Sequence, residues 1–411
     1  MYRSSSRRGQ SLSRYSNVSR NRVNQKKRFS RRRPNTNQSR SIRGGQFSDI
    51  TKFINKVIPT SEIKPYQPIN SFADFPISEH IKKNIIKTGY SELTPIQDQS
   101  IPYILNGRDI VGIANTGTGK TAAFVIPLLD KVLKDKQQNV LIIAPTRELA
   151  IQINQELIRF AFGLHIFSVC AVGGMPIFRQ IKDLQRNYNF IVGTPGRIKD
   201  LTDRKKLQLK NFQTIVLDES DRMLDMGFIN DMRFVVSALP KEHQTLFFSA
   251  TLNKDIKNII NDFSNNPINI SVKTGDTAIG IDQDVIYVKG KTKIQLLNEL
   301  LIKPEFNKVL IFGRTKVGVE RLSNSLSNRG LKVQSIHGNK NHNQRQNALK
   351  AFKNNTINIL VATDVAARGL DIPNVSHVIN YELPSSYEDY IHRIGRTGRC
   401  GKTGKALTFI D

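Results

Sequence analysis

Cysteine and long apolar runs are both scarce in this chain of 411 residues. Its two cysteines, Cys170 and Cys400, are too few for a disulfide framework, and neither belongs to a cluster with metal-binding spacing. This favours a reducing compartment, and we expect a cytoplasmic location. No apolar stretch approaches the roughly 18 residues of a membrane-spanning helix, and residues 1–10 lack the apolar core of a secretory signal. We therefore expect no membrane association.

Acidic residues are missing from the first 48 residues, which contain 14 Lys or Arg and no Asp or Glu. A segment of this composition cannot bury enough apolar surface to fold, so residues 1–48 are predicted to be a disordered Arg/Ser-rich basic tail. The rest of the chain still carries +14 of the total charge of +28, which indicates a polyanionic partner. Tyr2, Tyr15 and Phe29 could stack on unpaired bases. The alternatives are a solubilising tail and an organellar presequence.

Short apolar runs separated by helix-length segments organise the remaining chain. Runs that are continuous rather than alternating indicate parallel strands buried on both faces, and therefore doubly wound α/β domains. The predicted organisation is a lead-in segment at 49–71, domains at 72–270 and 284–411, and a linker at 271–283 that is rich in small and polar residues. The chain stops just after its last apolar run, so the second domain is expected to be minimal or the sequence incomplete. The runs are 109–114, 140–144, 190–193, 214–217, 245–248, 308–312, 358–362 and 406–410.

The string ANTGTGKT lies between an apolar run and an apolar helical stretch at 122–129, which is the strand, loop and helix order of a phosphate-binding loop. Its glycines allow backbone amides to approach phosphate, Lys120 can reach the β and γ oxygens, and the Thr121 hydroxyl can ligate Mg²⁺. The alternative is a glycine-rich turn with a solvated lysine. The predicted ATP-binding residues of this loop are Ala114, Asn115, Thr116, Gly117, Thr118, Gly119, Lys120 and Thr121.

The string DESD directly follows the apolar run 214–217, at the carboxyl end of a predicted strand, where open parallel sheets bind ligands. We expect Asp218 to hold Mg²⁺ through water and Glu219 to polarise the attacking water. A solvated acidic turn is the alternative. It is disfavoured by the phosphate-binding loop upstream.

The string HRIGRTGR, at 392–399, places arginines at a spacing of three near the end of the chain. A guanidinium is always charged and binds phosphate oxygens in a fork, so such arginines can complete a nucleotide site from outside. Arginine fingers raise the rate of phosphoryl transfer by roughly 10³ to 10⁵. A basic loop that contacts RNA or solvent is the alternative.

Together these strings resemble the DEAD-box ATP-dependent RNA helicases, with the bacterial RhlE-type branch as the nearest match, over 72–411. The resemblance implies two RecA-like domains with ATP and Mg²⁺ between them and single-stranded RNA across both. It also implies that Phe72 stacks on the adenine, that Gln97 reads it, that Asp371 contacts the ribose, and that Arg396 and Arg399 reach the γ-phosphate. Ser220 stands where the family has alanine, and we expect little change from it.

The resemblance further implies an RNA-binding surface and a coupling element. The coupling element, between hydrolysis and unwinding, is Ser249 and Thr251 of the SAT string. The implied RNA contacts are Pro145, Thr146, Arg147, Gly173, Gly174, Thr194, Pro195, Gly196 and Arg197 in the first domain, and Arg314, Thr315, His337, Gly338, Thr363 and Asp364 in the second.

The function predicted from the sequence is RNA-stimulated ATP hydrolysis that locally separates short RNA duplexes or remodels RNA-protein complexes, by a protein expected to be a monomer. ATP and RNA would close the two domains together, and hydrolysis would reopen them. One alternative is an ATP-regulated RNA clamp or annealing chaperone that acts through the basic tail. Another is a DNA-directed motor, because backbone contacts alone do not identify the sugar. Partners in ribosome assembly or RNA decay stay open.

Overall fold

The structure is a computed structural model that describes residues 66–115, 117–252, 254–272, 281–367, 372, 375–398 and 404–410. The predicted basic tail and all but the last residues of the predicted lead-in segment lie outside these residues. Within them the chain forms 13 strands and 14 α-helices, which are numbered in chain order.

The first domain is built on a seven-stranded sheet. Its strands are β1 (Ile110–Ile113), β2 (Val140–Ile143), β3 (Ser168–Ala171), β4 (Phe190–Gly193), β5 (Thr214–Leu217), β6 (Gln244–Ser249) and β7 (Ile268–Ser271). Its helices are α1 (Glu79–Lys87), α2 (Pro95–Leu105), α3 (Lys120–Lys134), α4 (Arg147–Phe160), α5 (Ile177–Leu184), α6 (Pro195–Asp203), α7 (Ser220–Asp225), α8 (Ile229–Ser237) and α9 (Lys254–Phe263). The strands are all parallel, in the order β3-β4-β2-β5-β6-β1-β7.

The second domain is built on a six-stranded sheet that is also entirely parallel, in the order β10-β11-β9-β12-β13-β8. Its strands are β8 (Ile281–Tyr287), β9 (Val309–Gly313), β10 (Val333–Ile336), β11 (Ile359–Thr363), β12 (His377–Asn380) and β13 (Gly404–Ile410). Its helices are α10 (Lys293–Leu301), α11 (Lys316–Ser327), α12 (His342–Lys353), α13 (Asp364–Ala367) and α14 (Tyr387–Ile394).

The cores explain why inner strands such as β2 and β9 are apolar without interruption. Successive side chains of a strand point to opposite faces of the sheet, and both faces are covered here by helices. In β2, Ile142 packs in one core with Phe124 of α3, whereas Leu141 packs in the opposite core with Leu201 of α6. The second domain repeats this arrangement, with α12 and α13 on one face and α10 and α11 on the other.

The prediction of two parallel α/β domains is confirmed, and each predicted apolar run overlaps a strand. The predicted linker 271–283 differs from the strand bounds, because β7 continues to Ser271 and β8 begins at Ile281. Ile281 and Gln283 are buried while Asp282 is exposed, and this alternation was hidden in a polar-looking stretch. The domain boundaries otherwise stay a prediction. No helix among the described residues is long and apolar enough to cross a membrane.

Candidate active site and nucleic-acid interface

The motif strings of both domains begin where parallel strands end. In the first domain β1, β5 and β6 lead into ANTGTGKT, DESD and SAT, and these three strands are adjacent in the sheet. The strands β2, β3 and β4 lead into the predicted RNA-contact strings and form the other half of the sheet. The strand order therefore separates a nucleotide half from an RNA half along one edge, where ligands bind in open parallel sheets.

The phosphate-binding loop is held open by two glycines in the left-handed region, Gly117 at φ 84° and Gly119 at φ 85°. Gly119 is the residue before α3, so the first amides of that helix point toward the loop. Lys120 is buried, and its Nζ donates a hydrogen bond of 2.7 Å to the Ala114 carbonyl across the loop. This contact shapes the cradle that a triphosphate would enter. Thr116 lies outside the described residues.

Gln97 connects α2 to this loop. Its Nε2 donates to the Gly119 carbonyl at 3.1 Å, and its Oε1 accepts from the Thr94 amide at 3.0 Å. A Cβ at Gly119, which has φ 85°, would lie 2.4 Å from Gln97 Nε2, so another residue there would be strained and would displace the Gln97 amide. One donor and one acceptor of the Gln97 amide remain, which is the pair that reads an adenine edge. Adenine reading by Gln97 stays a prediction.

Phe72, the predicted adenine-stacking residue, is only 8% exposed. Its ring meets the Tyr90 ring edge to face, with 6.4 Å between the centroids. Most of the Phe72 ring is therefore packed against the first domain, and stacking on adenine stays a prediction.

The DESD turn concentrates buried carboxylates at the end of β5. Burial raises the pKa of Asp218 to about 7, against the opposing positive charge of Lys120. Glu219 has a left-handed backbone (φ 52°, ψ 48°), which is unusual for a residue other than glycine and typical of strained functional sites. The Glu219 carboxylate accepts a hydrogen bond of 2.8 Å from Arg222 Nη1, and the two side chains are almost fully buried. The sequence patterns did not reveal this role of Arg222.

Asp221, the last residue of DESD, binds the SAT segment. Its Oδ2 accepts hydrogen bonds from the Ala250 and Thr251 amides, both at 3.0 Å, and from Thr251 Oγ1 at 3.3 Å. Burial opposes ionisation of Asp221, but the nearby charges of Arg222, Lys120 and His392 hold its pKa below the ordinary value. The structure thus joins the predicted catalytic turn to the predicted coupling element.

The donor set fits a hydrated divalent cation. Thr121 follows Lys120 in α3, and Asp218 is a desolvated carboxylate that a cation would stabilise in its charged form. Within the described residues, no group of three or more His, Cys, Asp or Glu side chains has metal-binding geometry. A cation held by Thr121 and Asp218 would therefore take its other ligands from phosphate and water, as Mg²⁺ commonly does.

The predicted RNA contacts of the first domain converge on Arg147. A Cβ at Gly174 would lie 2.0 Å from Arg147 Nη1, and one at Gly173 would lie 3.3 Å from Nη2, so both glycines lie directly under the guanidinium. Arg197 reaches the same loop, because its Nη1 is 3.4 Å from the Met175 carbonyl. Burial lowers the pKa of Arg197, and the charge of Arg147 adds to this effect. Two guanidinium groups close together suit a phosphate backbone.

Several other predicted RNA contacts of the first domain are buried and support this surface instead of being exposed on it. Thr146 is buried and caps α4 by accepting from the Leu149 amide at 3.3 Å. Pro195 is buried at the start of α6, next to the half-buried Thr194, whereas Gly196 is exposed. Pro145 is also buried. The backbone that is exposed on this surface therefore belongs to glycines, Gly174 and Gly196.

The second domain brings the strings GRTK and HGNK together after β9 and β10. A Cβ at Gly338 would lie 3.1 Å from Lys316 Cε. Arg314 is exposed, and its amide donates to Glu382 Oε2 at 2.5 Å. Thr315 caps α11 by accepting from the Gly318 amide at 2.9 Å.

His337 is buried, and both of its ring nitrogens have partners within the protein. Nδ1 accepts from the Asn339 amide at 3.3 Å, which leaves Nε2 to donate to Glu320 Oε2 at 2.9 Å. A hydrogen bond from Ser335 contributes most to lowering the pKa of Glu320 to about 2, so the partner of His337 is a carboxylate. Both ring nitrogens of His337 thus stabilise the turn after β10. The exposed Gly338 is better placed for RNA contact.

Arg393, the first of the three spaced arginines, has a structural role. It is 1% exposed and forms a bidentate ion pair with Asp364, with Nε to Oδ1 at 2.5 Å and Nη2 to Oδ2 at 2.8 Å. Arg393 is therefore held within the second domain, and the two arginines expected at the γ-phosphate are Arg396 and Arg399. The pair also occupies both oxygens of Asp364, a predicted RNA contact, and the preceding Thr363 is buried.

Arg396 is 3% exposed, and its Nε donates to the His392 carbonyl at 3.3 Å. His392 is close enough to lower the pKa of Asp221 in the first domain, so the start of this string lies near the DESD turn. Arg399 and Asp371 lie outside the described residues. A second contact joins the domains on the RNA side, where Arg345 Nη2 of α12 lies 2.8 Å from Glu148 Oε2 of α4. These contacts connect the nucleotide half and the RNA half to the second domain.

Comparisons with known proteins agree with this geometry. A family model described as DEAD/DEAH box helicase matches residues 94–259, and one described as helicase conserved C-terminal domain matches residues 292–401. DEAD-box ATP-dependent RNA helicase CshA of Bacillus subtilis is 46% identical over 342 residues, covering 83% of this chain and 69% of the relative. The chain belongs to the DEAD-box helicase family. ATP-dependent RNA helicase CshA of Listeria monocytogenes is 46% identical over 345 residues, 83% of this chain and 66% of the relative.

Solved structures of other proteins share this fold. Dbp5 of S. cerevisiae, bound to RNA and ADP BeF3, has a TM-score of 0.74 and 31% identity, covering 83% of this chain and 89% of that chain. DEAD-box helicase Mss116, bound to ssRNA and UDP-BeF, has a TM-score of 0.76 and 32% identity, covering 82% of this chain and 74% of that chain. The chain spans about two thirds of the length of the two CshA relatives. Their name does not support the RhlE-type branch that the motifs predicted.

Proposed function

We propose that this DEAD-box chain hydrolyses ATP in response to RNA and couples hydrolysis to local unwinding of short RNA duplexes or remodelling of RNA-protein complexes. The observation that carries the proposal is Asp221, which lies in the hydrolytic turn yet binds the SAT segment through three hydrogen bonds from two residues. A change at the γ-phosphate would move Glu219, and Asp221 two residues later would transmit that movement. We further propose that the chain is of CshA type, because of the relatives that it matches.

In this proposal ATP enters the loop at Gly117–Thr121, with Lys120 on the β and γ oxygens. Thr121 and Asp218 would hold Mg²⁺, Asp218 through water, and the ion would neutralise charge that develops on the phosphates. Glu219 orients the attacking water, and Arg222 holds the Glu219 carboxylate in place. Gln97 and Phe72 would select adenine.

Arg396 and Arg399 complete the site from the second domain, and Asp371 would contact the ribose. Arg396 leaves its bond to the His392 carbonyl when the terminal phosphate is present, because the negative charge of the phosphate attracts the guanidinium more strongly than a neutral carbonyl does. Hydrolysis thereby depends on domain closure.

The RNA partner is a single strand or a short duplex that crosses Arg147, Gly174 and Arg197 in the first domain and Gly338 in the second. Bending of one strand over this surface excludes its complement. RNA would be preferred over DNA by contacts to the 2′-hydroxyl. A cytoplasmic monomer is the setting that we propose, because ATP and RNA are both available in that compartment.

A second candidate function is suggested by the basic segment of residues 1–48. In this alternative the chain is an ATP-regulated RNA clamp or annealing chaperone, and the tail supplies most of the RNA affinity. Deletion of residues 1–48 distinguishes the two. Loss of strand annealing with intact RNA-stimulated ATPase would favour the chaperone, whereas intact unwinding favours the helicase.

The helicase proposal is tested by two substitutions that remove different steps. Glu219→Gln keeps the acceptor for Arg222 but removes the charge that polarises water, so ATP-dependent RNA binding should persist while kcat falls about 10²- to 10⁴-fold. Lys120→Ala should weaken ATP binding about 10- to 100-fold, the loss expected for a charged hydrogen bond. Lys83→Ala, at an exposed position of α1, is the control and should leave ATP binding and turnover unchanged. Unchanged turnover in Glu219→Gln would remove Glu219 from the catalytic role.

A further inference from the structure

Phe178 is the most exposed aromatic side chain among the exposed large apolar residues of the described chain, with 82% of its surface accessible. It lies in the first turn of α5, whose apolar face packs against the core through Ile177, Ile181 and Leu184. Gln180 fixes the helix further, because its buried Nε2 donates to the Val172 carbonyl at 3.0 Å. The packing of α5 against the first domain therefore does not depend on Phe178.

The loop that leads into α5 is the glycine loop of the proposed RNA surface. Gly174 lies under the Arg147 guanidinium, and the Met175 carbonyl accepts a hydrogen bond of 3.4 Å from Arg197 Nη1. Phe178 follows Met175 by three residues, so their Cα atoms are at most about 11 Å apart. A stacked strand advances about 3.4 Å per nucleotide, which places the ring within about three nucleotides of the backbone contact.

The charges around Phe178 suit a polyanion. Arg179 and Lys182 are exposed on the same helix, against the single exposed carboxylate of Asp183. Together with Arg147 and Arg197 they continue the positive surface beyond the glycine loop. An exposed aromatic ring beside cationic side chains is the arrangement by which proteins hold unpaired bases without reading their sequence.

We propose that Phe178 is a stacking platform for one unpaired base of the RNA strand whose backbone crosses Gly174. The proposal rests on the RNA-binding function proposed above and extends its binding track onto α5. Stacking accepts every base, because each has a π-face, so the platform adds affinity for a single strand without adding sequence preference. A paired base is unavailable to the ring. The platform therefore favours the strand that has already been separated.

The test uses the full chain with a non-hydrolysable ATP analogue and a fluorescent single-stranded oligouridylate. Phe178→Ala should weaken RNA binding about 5- to 150-fold, and Phe178→Trp should retain it. Phe162→Ala removes another exposed phenylalanine, 71% accessible and just beyond the far end of α4, and should leave affinity unchanged. Because Phe178 contacts no phosphate, the dependence of affinity on salt should be the same in Phe178→Ala and the unmodified chain.

A set of oligonucleotides with one abasic site, moved stepwise along the strand, separates stacking from other causes. At one position the abasic site should weaken binding to the unmodified chain as much as Phe178→Ala does, and should have no further effect on that variant. Unchanged RNA affinity in Phe178→Ala would overturn the platform while leaving the helicase proposal intact. Failure of the unmodified chain to bind RNA would instead overturn the function on which it rests. Weaker binding with no sensitive abasic position would indicate a fold or protein-contact role for Phe178 and would also overturn the proposal.

Discussion

Each residue of the DESD turn has different surroundings, although three of the four are acids. Asp218 is desolvated beside Lys120, and its raised pKa of about 7 marks a carboxylate that a cation would keep charged. Glu219 is held by Arg222 in a strained backbone conformation. Ser220 donates from its hydroxyl to the Phe248 carbonyl at 3.2 Å, at the end of β6. The serine found in place of the family alanine thus adds a link to the strand that carries SAT.

The role of Asp221 predicts that substitution will uncouple hydrolysis from unwinding. Asp221→Asn removes the negative charge that strengthens the three bonds from Ala250 and Thr251 to Oδ2. It also leaves one acceptor oxygen where Asp221 uses two, because Oδ1 accepts from the Arg222 amide. We expect ATP binding to be retained and duplex unwinding per ATP hydrolysed to fall about tenfold or more, as measured in parallel ATPase and strand-displacement assays. Ser220→Ala is the control, because the Ser220 hydroxyl donates to the Phe248 carbonyl and not to the SAT segment. In this variant the amount of duplex unwound per ATP hydrolysed should stay within about twofold of the unmodified chain. Equal losses of ATPase and unwinding in Asp221→Asn would contradict a coupling role.

Among the elements, α2 has a link to the lead-in segment that bears on adenine binding. Asp98, the residue after Gln97, accepts hydrogen bonds from Tyr66 Oη at 2.6 Å, from the Ile69 amide at 2.8 Å and from Asn70 Nδ2 at 2.7 Å. Burial opposes ionisation of Asp98, but these donors outweigh it and lower its pKa. The segment just before Phe72 is thereby fixed to the helix that carries Gln97.

Asp98→Ala should therefore raise the KM for ATP about tenfold while kcat changes little, because the bonds position the adenine pocket and touch no phosphate. The free energy of unfolding should fall by about 2 to 4 kcal/mol, since several hydrogen bonds to a charged group are lost. Tyr66→Phe removes one of these bonds and should have a smaller effect on both. An unchanged KM in Asp98→Ala would show that the lead-in segment does not shape the pocket.

The same carboxylate sets a pH dependence. A pKa that is lower in the folded than in the unfolded state stabilises the protein above the unfolded value of about 3.9 and loses that contribution as pH falls through the folded value. The stability difference between the unmodified chain and Asp98→Ala should accordingly be constant near neutral pH and shrink below about pH 4. Urea denaturation across this range measures it.

The elements that could be predicted from sequence are those whose local pattern matches their environment. Strands such as β2 and β9 are apolar throughout because both faces are covered, and each was predicted. The strand β8 was missed because Asp282 and Asp284 alternate with buried residues and resemble a linker. The contacts of Asp98 to Asn70 and of Asp221 to Thr251 join residues about 30 positions apart. No local spacing reveals such pairs, so the motifs located the site but not its internal bonds.

At the scale of the whole molecule, the strand order explains how two ligands can act on one another. In the first sheet β2, which leads to Arg147, lies beside β5, which leads to Asp218. The nucleotide half and the RNA half therefore share a continuous sheet edge, and the second domain meets both halves. His392 faces Asp221 on one side, and Arg345 reaches Glu148 on the other.

The Arg345 and Glu148 pair predicts a charge-reversal experiment. Both side chains are largely buried, so a single reversal leaves two like charges together at the domain boundary. Arg345→Glu should weaken ATP-dependent RNA binding at least about tenfold, and adding Glu148→Arg should restore part of it. Fluorescence anisotropy with a non-hydrolysable ATP analogue measures this. Glu299→Ala, which breaks the exposed pair with Lys291, is the control and should change little. Failure of the double reversal to recover any affinity would contradict a direct contact in the closed state.

The central claim is a single triphosphate site built by both domains, and a crystal structure with a non-hydrolysable ATP analogue and an oligouridylate tests it most directly. The account predicts that Lys120 and Arg396 both lie within about 3.2 Å of oxygens of the terminal phosphate. Arg396 would then have released the His392 carbonyl. A structure in which RNA and nucleotide are bound but Arg396 keeps that bond, remote from the phosphate, would contradict the account.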